Sequence, residues 1–365
     1  VQVAVGESYD APYMVPITRA HVALSNQEAD LWFVEKLVNG GAVCRVRPTV
    51  NPSFNWEQFK EFTMVRSQLE KIKRDRELKH LKHLGNKNRI NMGFYVSSWS
   101  NEVRQQSLSD LQRNIGHLDM VAMESFFTVP GQDTIVDKAD TAALHVIHQY
   151  KRKAIAQISN FSGNDFDGRT VRAILADPAK QQRFIDDILI KIKRKGFSGI
   201  NIDFENLQLE DHKPLNDFMA RIYGVFHSEG LLVTQDISPE NDDYDPISLQ
   251  KYNDYIILMA YDQHSIESNA GAISHQSWVE KNLDELCSKV DADKVILALA
   301  CYGYDWPLGK VGKTLTYDNA VILAHNDNAN IRFDPESANL NFSYKDGTGM
   351  RHDVYFTDAA TYFNL

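Results

Sequence analysis

The feature that most constrains the fold of this chain is a repeated succession of an apolar strand and a helix over residues 88–365. Most of the strands are apolar on both faces, which is typical of a parallel sheet covered by helices. Seven such units predict an α/β fold of the TIM (β/α)8-barrel type. The open dinucleotide-binding alternative is disfavoured, because no glycine-rich phosphate motif follows the first strand. The predicted strands are RINMGFYV, LDMVAMESFF, KAIAQIS, GINIDFE, LLVTQDIS, YIILMAYD and KVILALACYGY.

We find no eighth strand in the sequence before Leu365. The tail from TLTYDNAV to VYFTDAATYFNL is interpreted as a long excursion followed by the start of a helix. We therefore expect a barrel that lacks its eighth strand, with an open edge that another segment must cover. The N-terminal piece VQVAV is one candidate for that cover, and a truncated chain is the alternative explanation.

Residues 1–85 show no regular alternation and are interpreted as a small N-terminal accessory region or linker. A helix is predicted through DLWFVEKLV, ended by the glycines that follow it. The pattern from about Trp56 to Leu84 is also helical. Residues 66–89 carry nine Lys or Arg against three Asp or Glu. This charge indicates either a stalk near an anionic surface or, more commonly, a solvated helix face.

Composition excludes several classes of function. The net charge of −10 argues against general nucleic-acid binding. Cys44, Cys287 and Cys301 are too few and too scattered for a disulfide scaffold or a zinc site. The sequence holds no HExxH motif or Cys/His ligand spacing, so we expect no metal and no cofactor. It also holds no apolar run long enough for a transmembrane helix.

The sharpest motif is the strand GINIDFE, in which Asn201, Asp203 and Glu205 project to one side because side chains on a strand alternate. In a barrel this polar set points to the lumen, and Glu205 lies at the carboxyl end, where barrel active sites are found. Two neighbouring carboxylates do not both ionise freely, so one becomes a candidate proton donor. The alternatives are a polar layer inside the barrel and a charge pair with a lysine.

A second cluster ends the sixth strand. Met259 and Tyr261 share a face of that strand, and Asp262 follows. We expect the Tyr261 hydroxyl to lie at the same end of the barrel as Glu205 and to donate a hydrogen bond to a substrate oxygen there. An ordinary buried tyrosine with a satisfied hydroxyl is the alternative.

Aromatic side chains also lie near other strand ends, where they suit the apolar faces of sugar rings. Tyr302 and Trp306 lie at the end of the seventh strand, and Tyr95 and Trp99 lie at the end of the first. Glu124, near the end of the second strand, is a candidate polar contact. Each of these residues, taken singly, also fits a place in the core.

The spacing of the carboxylate motif resembles the DxxDxDxE signature of glycoside hydrolase family 18, the chitinase-like hydrolases. Asp203 and Glu205 match its last two acids, whereas Ser198 and Asn201 stand at the first two aspartate positions. The segment Met259-Ala260-Tyr261-Asp262 looks like the MxYD motif of the family. The resemblance covers about residues 88–365.

The segment Ala300-Cys301-Tyr302-Gly303 also looks like a motif of the family, the YG motif of its seventh strand. Three further segments are similar to a bacterial subgroup in which the hydrolase is fused to polysaccharide deacetylase and glycosyltransferase domains. Those fusions are typically membrane-tethered, which implies an extracytoplasmic or membrane-associated location. The segments are GFYVSSWSNEVRQQSLSDLQRNIGHLD, GINIDFENL and MAYDQH … AGAISHQSW.

The resemblance implies retaining, substrate-assisted hydrolysis of β-1,4-linked N-acetylglucosamine polymers, chitin-like or peptidoglycan-like. It implies that Glu205 is the acid and base, that Asp203 orients the acetamido group, and that Tyr261 hydrogen-bonds the acetamido oxygen. It further implies that Asn201 holds Asp203, which should then titrate like an isolated carboxylate. The remaining predicted substrate-binding residues are Met259, Asp262, Tyr95, Trp99, Glu124, Tyr302 and Trp306.

Two classes of function stay open at this point, with N-acetylhexosamine saccharides as the expected partner in both. The first is the glycosidase, favoured because Asp203 and Glu205 are both present. The second is a catalytically weak or inactive carbohydrate-binding module, favoured by the missing eighth strand. That strand usually carries a tryptophan in the family. A barrel enzyme of unrelated chemistry is a third, weaker reading.

Overall fold

The computed structural model describes two short segments near the N-terminus and most of the chain from residue 90 onward. The helix predicted between Trp56 and Leu84, and the side chain of Trp99, lie outside the described residues. Two compact units are distinguished, one formed by residues 90–259 and 282–298 and the other by residues 260–281 and 299–364. The described ranges are 32–38, 41–46, 90–98, 100–163, 165–240 and 244–364.

The N-terminal segments form a β-hairpin. Strand β1 (Trp32–Val38) pairs antiparallel with β2 (Gly41–Val46). The helix predicted through DLWFVEKLV is therefore wrong. Both segments are rich in β-branched and aromatic residues, and the Asn39-Gly40 dipeptide between them is a strong hairpin signal.

The first unit is built on a parallel sheet. Its seven parallel strands lie side by side in the order β3, β4, β6, β9, β10, β11, β12, and β5 pairs antiparallel with β4. The two-residue strands β7 and β8 form a small hairpin after β6. The bounds are β3 Met92–Tyr95, β4 Met120–Thr128, β5 Ile135–Asp137, β6 Lys153–Ser159, β7 Phe161–Ser162, β8 Asp165–Phe166, β9 Gly199–Asp203, β10 Leu232–Ile237, β11 Tyr255–Met259 and β12 Val295–Ala298.

All seven predicted strands are confirmed, and so is the TIM-like α/β class. The last strand is shorter than predicted. KVILALACYGY was interpreted as one strand, whereas β12 ends at Ala298 and a strand of the other unit begins at Tyr302. Within the described residues the parallel sheet ends at β3 on one side and β12 on the other.

Helices alternate with these strands. Helix α4 (Pro178–Lys195) shows how the sequence sets the two ends of a helix. Its N-cap Asp177 accepts two backbone N–H bonds, and Gly196 ends it in the left-handed conformation at φ 75°. Its apolar side is buried, including Phe184 and Ile188. The helices are α1 Asn101–Asn114, α2 Thr141–Gln149, α3 Gly168–Leu175, α4 Pro178–Lys195, α5 His212–Ser228, α6 Pro246–Leu249, α7 Gln276–Lys289, α8 Tyr317–Asn326 and α9 Ala359–Asn364. None of the helices in the described part of the chain is both long and apolar enough to span a membrane.

The second unit contains an antiparallel sheet that the sequence interpretation missed. Five strands lie in the order β14, β13, β17, β16, β15, over a core of α8 and sheet side chains such as Phe342 and Phe356. The long excursion predicted for the tail is thus an antiparallel sheet, and the helix predicted after it is α9. The strands are β13 Tyr302–Pro307, β14 Lys313–Thr316, β15 Arg332–Asp334, β16 Asn339–Lys345 and β17 Arg351–Phe356.

Candidate active site

The centre of the parallel sheet gathers polar side chains from three adjacent strands. On β9, Asn201 is fully buried and Asp203 is nearly so. Gln157 of β6 and Thr234 of β10 stand opposite Asn201 in the strand register. The sheet therefore surrounds the predicted polar face of β9 with further polar groups.

Amide hydrogen bonds connect these groups and include one acid that the sequence interpretation missed. The Gln157 Nε2 atom donates to Asp203 Oδ2 at 3.1 Å and to Asp236 Oδ2 at 3.3 Å. The Asn201 Nδ2 atom donates to Asp236 Oδ2 at 2.6 Å, and Thr234 donates to Asn201 Oδ1 at 2.7 Å. Asn201 therefore holds Asp236 rather than Asp203. The sequence signal for Asp236 is strand alternation: it lies two residues after Thr234 in LLVTQDIS and so shares a face of the strand with it.

Both buried acids hold protons more tightly than ordinary carboxylates. Burial raises the pKa of Asp203 to about 6, with a contribution from the charge of Glu124 and an opposing hydrogen bond from Ser159. Burial and the charge of Asp203 raise the pKa of Asp236 well above its usual range. The expectation that Asp203 titrates like an isolated carboxylate is wrong, because it is buried and a neighbouring strand supplies a second acid.

Glu205 is the second residue after β9, and its backbone is fixed by a buried side chain. The Asn160 Nδ2 atom donates to the Glu205 carbonyl at 2.8 Å, and the Glu205 N–H donates to Asn160 Oδ1 at 2.9 Å. Asn160 is fully buried just after β6. The half-buried Glu205 carboxylate accepts a long 3.5 Å bond from Ser238. This side chain is thus positioned at the carboxyl end of the sheet, where proton transfer is possible.

The residues on either side of Glu205 are also fixed. Tyr244 donates to the Phe204 carbonyl at 2.8 Å, and Asn206 donates to the Phe166 carbonyl at 3.0 Å. Asn206 adopts the left-handed conformation at φ 57°. A Cβ placed on Gly168 would lie 1.9 Å from the Asn206 carbonyl oxygen. The chain therefore passes so close to α3 that only glycine fits there.

The Asn160→Asp variant is expected to lower the free energy of unfolding by about 1–3 kcal/mol, because it removes the donor to the Glu205 carbonyl and places two oxygens together. Urea unfolding measures this loss. The control is Asn114→Asp on the exposed end of α1, where we expect a change within about 0.5 kcal/mol. Equal stability of the two variants would contradict the assigned role of Asn160.

Two predicted sugar contacts, Glu124 and Tyr95, have hydrogen-bond partners within the protein, and the contact of Glu124 with a sugar stays a prediction. Glu124 accepts bonds from the backbone N–H groups of Ser97 and Ser98 at 3.0 and 2.8 Å, so it holds the loop after β3. Tyr95 is 3% exposed and donates to Asp140 at 2.7 Å. The ring of Tyr95 therefore offers no exposed face to a sugar.

The other predicted cluster lies in the second unit. Asp262 accepts hydrogen bonds from the hydroxyls of Tyr302 and Tyr304 at 2.6 and 2.8 Å. Burial raises the pKa of Asp262, and these two hydrogen bonds oppose the rise. Tyr261 packs edge-to-face against Tyr302 with ring centroids 6.2 Å apart. The role of Tyr261 toward an acetamido group stays a prediction.

Trp306 and Met259 are both buried. Trp306 is 3% exposed, its Nε1 atom donates to the Ser265 carbonyl at 3.1 Å, and its ring packs against Tyr304. It is a core residue of the second unit and offers no exposed face to a sugar. Met259, the last residue of β11, is 8% exposed. Its contact with a substrate stays a prediction.

A partly open cavity of about 550 Å³ lies at the carboxyl ends of β4 and β6. Phe161, which directly follows Asn160, is 37% exposed, and Val136 is 43% exposed. Lys138 stands over the Phe127 ring at 4.8 Å. All four of these side chains line the cavity, and sequence reasoning did not single out Phe161 as an aromatic surface. No group of three or more candidate metal ligands occurs in the described parts of the chain.

A parallel sheet with an acid on each of two adjacent central strands and a glutamate at its carboxyl end has its candidate site where barrel enzymes carry theirs. The chain belongs to the glycosyl hydrolases family 18, whose model matches residues 91–361. This confirms the family resemblance of the sequence motifs. The fusion to other catalytic domains stays a prediction.

Similar curated proteins occur in Bacillus subtilis. The chain is 28% identical over 270 residues to the uncharacterized glycosylase YvbX of Bacillus subtilis, covering 70% of this chain and 78% of YvbX. It is 27% identical over 225 residues to the cortical fragment-lytic enzyme of that species, covering 57% of this chain and 52% of the enzyme. The chain thus spans about half the length of that enzyme.

The fold likeness extends to a solved structure. The spore cortex-lytic enzyme SleL of Bacillus cereus superposes with a TM-score of 0.70 at 24% identity. The superposition covers 77% of this chain and 68% of SleL. This superposition supports the barrel-type fold described above for this chain.

Proposed function

We propose that this chain hydrolyses β-1,4-linked N-acetylglucosamine-containing glycan with retention, using the substrate's own acetamido group and Glu205. The observation that carries the proposal is the fixed backbone of Glu205 beside two buried acids. Asn160 holds both backbone groups of Glu205. A proton donor held this firmly is suited to act on one bond of a bound sugar.

In the proposed reaction the acetamido oxygen attacks the anomeric carbon as Glu205 protonates the departing glycosidic oxygen. Glu205 then takes a proton from water, which opens the cyclic intermediate and returns the acid to its starting state. Asp203 in its ionised form stabilises the positive charge that develops on the acetamido group. Since burial raises the pKa of Asp203 to about 6, we expect activity to decline as pH falls below that value.

The substrate that we propose is the glycan of peptidoglycan, with chitin-like oligomers as the alternative. The support is the 27% identity to a cortical fragment-lytic enzyme, together with the family assignment. The exposed ring of Phe161, in the cavity at the carboxyl end of the sheet, suits the apolar face of a sugar.

We also propose that the chain works within a larger, membrane-tethered protein on the extracytoplasmic side. The support is the similarity of its segments to the fused bacterial subgroup and the basic stretch over residues 66–89. Such a stretch is attracted to an anionic lipid surface.

Product analysis tests the proposed reaction. The protein is incubated with N-acetylglucosamine oligomers and with muropeptide fragments, and products are followed by mass spectrometry and by NMR of the anomeric protons. We expect cleavage in which the β anomer forms first, because two displacements retain configuration. Release of the α anomer first would contradict the mechanism. Binding of both glycans without cleavage would instead identify a carbohydrate-binding module.

A further inference from the structure

Asp203 and Asp236 share an unusual pattern of hydrogen bonds. Every side-chain amide bond to this pair reaches an Oδ2 atom, from Gln157 and from Asn201. The Oδ1 atom of each acid is buried and accepts no hydrogen bond within the described residues. A buried, ionised carboxylate with an unsatisfied oxygen is costly, whereas its protonated form is much less so.

The charges around the pair are all negative. Glu124 of β4 lies near Asp203, Glu205 after β9 lies near Asp236, and the two acids lie near each other. Among the residues that the structure describes, no Lys, Arg or His forms an ion pair with either acid. Two negative charges joined by one amide, without a cation, do not persist together in a buried site.

We propose that Asp236 keeps the proton of this pair and leaves Asp203 with its single negative charge, so that Asp236 is a positioning residue for Asp203. Asp236 is the more deeply buried of the two, at 1% exposed against 7% for Asp203, and Ser159 offers a hydrogen bond to Asp203, so the proton is favoured on Asp236 and the charge on Asp203. The catalytic meaning of this inference rests on the proposed function. A neutral Asp236 allows Asp203 to stay ionised when positive charge develops on the substrate, and the proton itself does not move to the substrate.

The assignment is tested on the whole protein without any substrate. Protein labelled with ¹³C at its aspartate carboxyl carbons is titrated by NMR as wild type, Asp236→Asn and Asp203→Asn. We expect one wild-type resonance to remain in the protonated position at pH 7 and to be lost in Asp236→Asn. The matched control is Asp262→Asn, which should leave that resonance in place. A wild-type spectrum in which all carboxyls outside the Asp262 resonance are ionised at pH 7 would overturn the proposal.

Thermal unfolding gives a second measurement with the same variants. A folded-state pKa above the unfolded value favours the folded wild type at low pH, and this advantage is lost as pH rises. The melting temperature of wild type should therefore fall relative to that of Asp236→Asn between about pH 4 and pH 8. A constant difference over this range would contradict the protonated state of Asp236.

A swapped variant covers the case in which Asp236→Asn does not fold. The double variant Asn201→Asp, Asp236→Asn keeps one carboxyl and one amide across the 2.6 Å bond and leaves the net charge unchanged. We expect it to regain a carboxyl resonance that stays protonated at pH 7, and absence of that resonance would count against a shared proton. Because neither measurement uses hydrolysis, an inactive protein with the expected titration would contradict the proposed function alone.

Discussion

Replacing Glu205 with glutamine is expected to lower the rate of glycosidic cleavage by a factor of about 10² to 10⁴. The amide has nearly the same shape, and the backbone bonds to Asn160 are unaffected, so the side chain keeps its place. It cannot give a proton to the leaving oxygen or take one from water. The effect should therefore appear in kcat rather than in KM, measured on the glycan that the wild type cleaves.

The matched control for this substitution is Glu210→Gln, an exposed residue in the turn that follows the same strand. We expect its kcat to stay within about twofold of wild type, since exposed charges have little effect at a distance. A Glu205→Gln protein with wild-type kcat would show that another group supplies the proton. Circular dichroism of both variants checks that the fold is intact.

Gly168→Ala is the second substitution with a large expected effect. The added Cβ would lie 1.9 Å from the Asn206 carbonyl oxygen, so the backbone that carries Glu205 must move away. We expect the free energy of unfolding to fall by about 1–3 kcal/mol. We also expect kcat to fall by up to about 10²-fold, because a displacement of about 1 Å at the reacting group is that costly.

A glycine on an open helix face provides the comparison. Gly224 lies within α5, and a Cβ there would meet nothing within 4 Å. Gly224→Ala should raise the free energy of unfolding by about 0.5–1 kcal/mol, since alanine is the better helix former. Thermal unfolding and kcat are measured on both variants. If Gly168→Ala behaves like Gly224→Ala, the close approach does not position Glu205.

Local patterns predicted the parallel sheet well, and they predicted the hydrogen bonds of its acids poorly. Strand alternation in GINIDFE correctly places Asn201 and Asp203 on one face. It cannot reveal that Asp236 of β10 lies beside them, because strand neighbours are set by the tertiary fold. For the same reason the resemblance led to Asn201 as the support of Asp203, whereas its amide is directed at Asp236.

The antiparallel sheet and the aromatic residues show a second limit. Strand β13 pairs with β17, about fifty residues later in the chain. The residues near β13 do not indicate which distant strand it pairs with. Tyr95 and Trp306 were predicted as sugar contacts from their places near strand ends, yet both are buried. Phe161 has a comparable place after β6 and is exposed. Position along a strand does not determine which aromatic ring the surrounding loops will cover.

The bond pair between Asn160 and Glu205 has a mechanical consequence. Asn160 directly precedes Phe161, which lines the cavity. The residue that hydrogen-bonds the Glu205 backbone and the residue that forms the cavity wall are therefore neighbours in the sequence. Under the proposed function, a glycan bound against Phe161 would act on the same turn that holds the backbone of Glu205. Under that proposal, the binding energy of sugar units away from the cleaved bond would help to position Glu205, and longer oligomers should react faster than shorter ones.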